Sequence, residues 1–205
     1  MKEIIVATKN KGKAKEFQSL FEPYGITIKT LHDFSNEMPD IEETGSTFQE
    51  NARLKAEGIS KLLKKPVIAD DSGLEVRALD GRPGVYSARF AGEPTDDSRN
   101  NDKLLRMLND IPSAERQAQF TCVLALSIPD EDTIYAKGSC EGKIATGLTG
   151  EAGFGYDPLF IPNGYTETMA QLGNEEKNKI SHRYHALKVM EQTLQEKGWI
   201  GEPDA

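Results

Sequence analysis

Pro66-Val67-Ile68-Ala69-Asp70-Asp71-Ser72-Gly73-Leu74-Glu75-Val76 places two carboxylates directly behind a short apolar run. Val67 to Ala69, bounded by Pro66 and the polar pair, reads as a buried strand. Carboxylates at the carboxyl end of such a strand lie where open α/β sheets hold ligands. Side chains alternate along a strand, so Asp70 and Asp71 point different ways. One faces a ligand and the other stands behind it; alternation alone does not choose between them. Two anions beside a core are costly unless cations or donors compensate them. Mg²⁺ suits the pair, because it takes oxygen ligands and keeps several waters. The competing reading is a turn, since Asp, Ser and Gly are turn formers and a carboxylate can cap a backbone end.

Upstream, residues 3–8 (EIIVAT) read as a first strand. A basic loop follows, Thr8-Lys9-Asn10-Lys11-Gly12-Lys13, and then an amphipathic helix from about Ala14 to Phe21. Strand, glycine-containing loop and helix together suit an anion, because free N–H groups at a helix start attract phosphate and lysines add charge. The loop is not a Walker A motif: it has one glycine, and Ala14 stands where Ser or Thr should follow the lysine. It also reads as a solvated lysine-rich loop. Residues 26–31 form a second strand, and an acidic loop runs to Glu43. Thr47 and Glu50 have capping-box spacing for a helix to Leu63. Its apolar stripe is Phe48, Ala52, Ile59 and Leu62, with Lys55 projecting into the middle and Asn51 on the flank. A lysine there snorkels to solvent or reaches an anion.

Downstream, Leu74 to Leu79 alternates as a strand, and Asp80-Gly81 and Pro83-Gly84 are turn signals. A helix over about 97–108 shows an ordinary solvated face around Asp96, Asp97, Arg99 and Asp102. Residues 120–128 and 133–144 read as an antiparallel hairpin, so the sheet is mixed. Residues 147–158 (GLTGEAGFGYDP) carry four glycines and an aromatic pair. They suit close approach to a ligand and stacking on a planar base, or simply a surface loop. Residues 174–179 are a polar segment, and Ser181 caps a final helix to about Lys197. His182 and Arg183 then sit in its first turn, where the helix dipole disfavours positive charge.

The 205 residues suit one domain with a sizeable core, and 37% hydrophobic with 28% charged residues is a globular balance. A net charge of −8 argues against a nucleic-acid binder. Cys122 and Cys140 make neither a disulfide framework nor a zinc site. No stretch has signal-peptide or membrane-spanning character, so the expected location is the cytoplasm, with no membrane partner.

Six segments, in order, carry a resemblance: TKNKGKAKEF at 8–17, EETGSTFQENARLKA at 42–56, ADDSGLEV at 69–76, PGVYSAR at 83–89, GFGYDPLF at 153–160 and KNKISHRYHALK at 177–188. With them the chain resembles the inosine triphosphate pyrophosphatase family, which hydrolyses non-standard purine nucleoside triphosphates such as ITP, dITP and XTP. The first loop departs from the pattern, with Lys9 where the family often has glycine. The resemblance implies an α/β fold: a two-lobed mixed sheet flanked by helices, with a central cleft, as one pyrophosphatase domain over 1–205. It also implies a homodimer, Mg²⁺ as cofactor, and products that are a monophosphate and pyrophosphate. By motif, Thr8, Lys9, Asn10, Lys11, Gly12 and Lys13 hold phosphates, aided by Lys55, Ser72 and Lys177. Glu43 and Asp71 match the metal positions, and Asp71 the proposed general base. Phe154, Gly155, Tyr156 and Asp157, with His182 and Arg183, match the base pocket.

Other hydrolases fit less well. A haloacid-dehalogenase-type phosphatase requires Asp-x-Asp after its first strand, and a Nudix hydrolase a glutamate-rich helical box; neither pattern is present. A nucleotide sensor using the same pocket would bind without turnover.

Overall fold

Ile4, Ile5 and Val6 are fully or almost fully buried, as a short apolar run in a parallel sheet must be. They belong to β1 (Glu3–Val6), which pairs in parallel with β2 (Thr27–Thr30) and with β3 (Val67–Val76). The structure is a computed structural model, describing residues 2–8, 11–34 and 38–201, with Lys11 and Gly12 as backbone only. The remaining elements are α1 (Lys11–Phe21), α2 (Phe48–Leu63), α3 (Asp97–Met107), β4 (Gln117–Ser127), β5 (Ile134–Ile144), β6 (Phe160–Pro162), α4 (Met169–Ile180) and α5 (His182–Glu196). The strands form one sheet in the order β2-β1-β3-β4-β5-β6, and β5 pairs with β6 antiparallel. The expected mixed sheet with flanking helices is therefore found. The connection from β4 to β5 is too short for a parallel crossover, which fits the expected hairpin.

The chain divides into two compact units. The first comprises 1–71, 123–137 and 186–205; the second comprises 72–122 and 138–185. In the first, Ile5 and Val67 pack with Ile59 of α2, and Leu31, Phe34 and Ile41 close over them. Thr47 caps α2 by accepting from Glu50 N, as its spacing predicts. Glu50 folds back onto Ser46 N and Oγ rather than onto Thr47. The stripe of α2 buries Phe48, Ala52, Ala56 and Ile59, whereas Leu62 in its last turn is exposed.

In the second unit, Leu74 and Val76 join Leu104 and Leu108 of the α3 segment, Phe120 of β4 and Phe160 of β6 in the main core. Gly142 lets β6 approach β5, since a Cβ there would run into the Ile161 carbonyl. Arg116 is buried and donates Nε to Ile111 O, Nη1 to Ala145 O and Nη2 to Leu108 O. Arg116→Ala leaves three carbonyls without that donor and is expected to cost on the order of 3 kcal/mol. Urea unfolding should show a lower midpoint with an unchanged slope; an unmoved midpoint would mean water replaces the guanidinium freely.

Two expectations are corrected. Val67–Val76 is one continuous strand, so Asp70 and Asp71 stand in its middle, not at its carboxyl end or in a turn. Sheet pairing and burial of Leu74 and Val76 override the local turn preference of Asp-Ser-Gly. The expected strand over 74–79 is its tail, followed by a 3₁₀ turn at Arg77–Leu79. Separately, the polar segment 174–179, which carried no expected element, is helical and lies in α4 beyond a kink at Gly173, whose φ of 76° no helix contains.

Candidate active site

In the first unit, Ile5 N donates to Pro66 O and Ala7 N to Ile68 O, so β1 runs beside β3 and delivers buried Thr8 at its end. The next residues, Lys9 and Asn10, lie outside the described residues, as does the side chain of Lys11. Lys11 and Gly12 already belong to the first turn of α1, which begins three residues earlier than its apolar pattern suggests. Lys13, one turn into α1, reaches Asp70, with Nζ 2.8 Å from Oδ2.

On the other side, Asn51 Oδ1 accepts from Gly45 N at 2.8 Å and holds the acidic loop against α2. Gly45 is needed there, because a Cβ would collide with Asn51 Oδ1. Lys55 lies in the buried stripe but does not snorkel. Its Nζ is 2.6 Å from Asp70 O and 3.2 Å from Glu43 Oε1. Glu43, Asp70, Asp71, Lys13 and Lys55 therefore form one cluster. Burial pushes the Asp71 carboxyl up to about 6; Lys55 opposes this, Glu43 adds to it, Asn51 opposes it and Asp70 adds to it.

In the second unit, residues 153–157 wrap the Asp157 carboxylate. Asp157 is 3% exposed, and its Oδ2 accepts from Phe154 N at 3.0 Å and from Lys177 Nζ at 2.5 Å. Gly153 has φ of 81° and leaves no room for a Cβ beside Asp157. Lys177 Nζ also sits 4.3 Å from the centre of the Phe154 ring, which is otherwise well exposed. Lys177, expected among phosphate ligands, is thus placed with the aromatic loop. Tyr156 is buried and donates its hydroxyl to Ser87 O at 2.7 Å; burial pushes that phenol's pKa up. The His182 ring stacks on Phe120 at 5.1 Å and 17°. Arg183 is buried beside it in the first turn of α5, capped by Ser181 Oγ accepting from Tyr184 N. Ser72 lies in β3 directly after Asp71 and is part-buried.

Sequence reading missed the residues that hold the aromatic loop. Asp97, on the face of α3 that reads as ordinary and solvated, and Asn101, on its buried side, both bind the Gly155 backbone. The available signal was asparagine at 100 and 101, in register with Leu104 and Leu108 on a buried stripe.

Known proteins match nearly the whole length of the chain. The sequence model of the Ham1 family matches residues 4–193. A dITP/XTP pyrophosphatase from Oceanobacillus iheyensis is 55% identical over 194 residues, covering 95% of this chain and 98% of that protein. One from Bacillus cereus is 52% identical over 204 residues, covering 98% of each. Among solved structures, the Ham1 protein of Staphylococcus aureus has a TM-score of 0.89 at 47% identity, covering 96% of this chain and 100% of that one. A nucleoside-triphosphatase, dITP/XTP pyrophosphatase, from Mycobacterium abscessus has a TM-score of 0.79 at 40% identity, covering 92% and 97%. Near-complete coverage by sequence and by fold agrees with the six ordered motifs: the chain belongs to the Ham1 family.

Proposed function

We propose that this chain hydrolyses non-standard purine nucleoside triphosphates, ITP, dITP and XTP, to the monophosphate and pyrophosphate. The observation that carries the reading is the cluster around buried Asp70 and Asp71, in which Lys13 Nζ lies 2.8 Å from Asp70 Oδ2 and Lys55 Nζ lies 2.6 Å from Asp70 O and 3.2 Å from Glu43 Oε1. The names of the relatives from Oceanobacillus iheyensis and Bacillus cereus support the substrate class. On this reading the whole chain acts as one pyrophosphatase domain.

Glu43 and Asp71 fit Mg²⁺. Among the described residues no three His, Cys, Asp or Glu make a closed cage. Mg²⁺ asks for less: one or two carboxylates, with substrate phosphate and water completing its shell. Burial raises Asp71, with Glu43 and Asp70 adding to it against Lys55 and Asn51, and a cation at this carboxylate would offset that cost. When bound, Mg²⁺ supplies positive charge to the phosphoryl oxygens and acidity to nearby water.

The chain's own groups do the rest. Asp71 orients the attacking water or relays its proton onward. Lys13 and Lys55, with Thr8 and the following loop of Lys9, Asn10, Lys11 and Gly12, screen charge that builds on the leaving pyrophosphate, and Ser72 donates to a phosphate oxygen. Asp70, engaged by Lys13 and through its carbonyl by Lys55, aligns both ammonium groups. Phe154 stacks on the base, and the Gly155–Asp157 backbone, His182 and Arg183 read its edge. Donors facing a 6-oxo group would face donors when adenine's amino group enters, and such mispairing of buried polar groups discriminates strongly. Lys177 serves the pocket through Asp157 and Phe154. The enzyme works on free nucleotides in the cytoplasm as a homodimer. Among the described residues no helix is long and apolar enough to cross a membrane.

The test is product analysis with Mg²⁺ and a panel of dITP, XTP, dGTP, dATP and dTTP. Monophosphate plus pyrophosphate from dITP and XTP, with at least about tenfold less from the others, is expected, because unpaired polar groups in a site reject analogues by that much or more. Diphosphate plus phosphate would overturn the cleavage site, and binding without turnover would make the chain a nucleotide sensor.

A further inference from the structure

The buried stripe of α3 begins in polar residues. Leu104 and Leu108 are fully buried, and one and two turns earlier Asn100 and Asn101 are 2% and 4% exposed on the same side. Asparagine at such positions costs stability unless both ends of its amide are engaged by something that matters. Asn100 has both ends of its amide on backbone groups, whereas Asn101 is engaged through Nδ2 and its buried Oδ1 has no hydrogen-bond partner among the described residues. Asn101 Nδ2 donates to Gly155 O at 2.9 Å, and Asp97, one turn before it, accepts from Gly155 N at 2.7 Å through Oδ2. Both polar groups of one glycine are therefore held by one helix. Gly155 has φ of 61°, a left-handed backbone that glycine adopts freely. Asn100 closes the neighbouring turn, accepting from Ala91 N and donating to Ala88 O. Ser87 directly precedes that turn; its Oγ accepts from Leu74 N of β3 and its carbonyl accepts from the Tyr156 hydroxyl. The residues flanking Gly155 on the chain are Phe154 and Tyr156.

We propose that Asp97 and Asn101 of α3 act as a two-sided clamp on Gly155 that positions the Phe154–Asp157 loop and so sets base affinity and base choice. Neither residue touches the reacting phosphates, so both are positioning residues. The inference rests on the proposed function, in which this loop receives the base. A free glycine would let Phe154 and the backbone around it sample many orientations; two opposed hydrogen bonds fix the peptide before substrate arrives.

The test uses the full chain with Mg²⁺, comparing wild type with Asp97→Ala, Asn101→Ala and Asp97→Asn on dITP and dGTP. Circular dichroism checks that each variant is folded. Loss of a hydrogen bond in this range is about tenfold in affinity. Asp97→Ala and Asn101→Ala should each raise KM for dITP by about tenfold, with kcat changing less than about threefold. The dITP-over-dGTP ratio of kcat/KM should fall. Asp97→Asn keeps an acceptor oxygen and should recover most of the lost affinity. The double variant should be little worse than the worse single one, because both act on one peptide. Asp97 is at the surface end of the clamp, so its variants test the idea even if Asn101→Ala fails to fold. A folded Asp97→Ala with wild-type KM and an unchanged base ratio would overturn the clamp alone. A wild-type chain that turns over no nucleoside triphosphate would overturn the proposed function and this inference with it.

Discussion

Asp71→Asn is expected to lower kcat for dITP by about 10²–10⁴-fold at saturating Mg²⁺, the contribution of a positioned general base. The amide keeps the size of the carboxylate and one acceptor oxygen, so geometry is retained while proton uptake is lost. Stability should not fall with activity. Asp71 is desolvated with Glu43 and Asp70 as anionic neighbours, so its charge is a strain on the metal-free fold rather than a support. The thermal midpoint of the metal-free variant should equal or exceed wild type. Asp70→Asn should behave in the opposite way, because Asp70 is 4% exposed and paired with Lys13 at 2.8 Å. Its loss should cost stability and affect kcat less. Rates and melting curves on both variants, with Mg²⁺ titrated separately for each, check this. Near-normal turnover by Asp71→Asn would remove it from the chemistry.

Lys177→Ala should be the most damaging change in the second unit. It leaves the 4%-exposed Asp157 side chain without its ammonium partner, and breaking such a pair from one side costs about 3–5 kcal/mol. At this chain length that is a fall of roughly 10 °C in melting temperature. Activity should suffer as well. Asp157 Oδ2 holds Phe154 N, and Lys177 itself lies over the Phe154 ring, so the loop loses two restraints together. KM for dITP should rise more than kcat falls. Adding Asp157→Asn to Lys177→Ala removes the stranded charge and should restore part of the stability, a coupling that a double-mutant cycle measures. A melting temperature within about 2 °C of wild type for the single variant would mean that water already screens the pair.

The sequence made β1, α2, the β4–β5 pair and the final helix legible, because each has one dominant signal. Alternation or an unbroken apolar run marks the strands, and Thr47, Glu50 and Ser181 mark helix starts. It misled where local chemistry and tertiary pairing disagree. Asp70-Asp71-Ser72-Gly73 has turn composition, yet it continues as strand because its neighbours are buried on both sides. Residues 174–179 have no apolar period, so a helix anchored through Lys177 to Asp157 left no pattern to read. The acidic cluster was visible as residue types, but which lysine serves which carboxylate was not, since Lys13 and Asp70 are 57 positions apart. Lys177 shows the same limit: its motif suggests phosphate, and its contacts with Asp157 and Phe154 could not be read from the sequence.

The most direct measurement of the central claim is hydrolysis of dITP in ¹⁸O-labelled water, with mass analysis of both products. Attack on the α-phosphorus, with pyrophosphate leaving, puts one ¹⁸O into the monophosphate and none into pyrophosphate. Label in pyrophosphate would mean that water attacks the β-phosphorus, and the roles given to Asp71, Lys13 and Lys55 would be wrong.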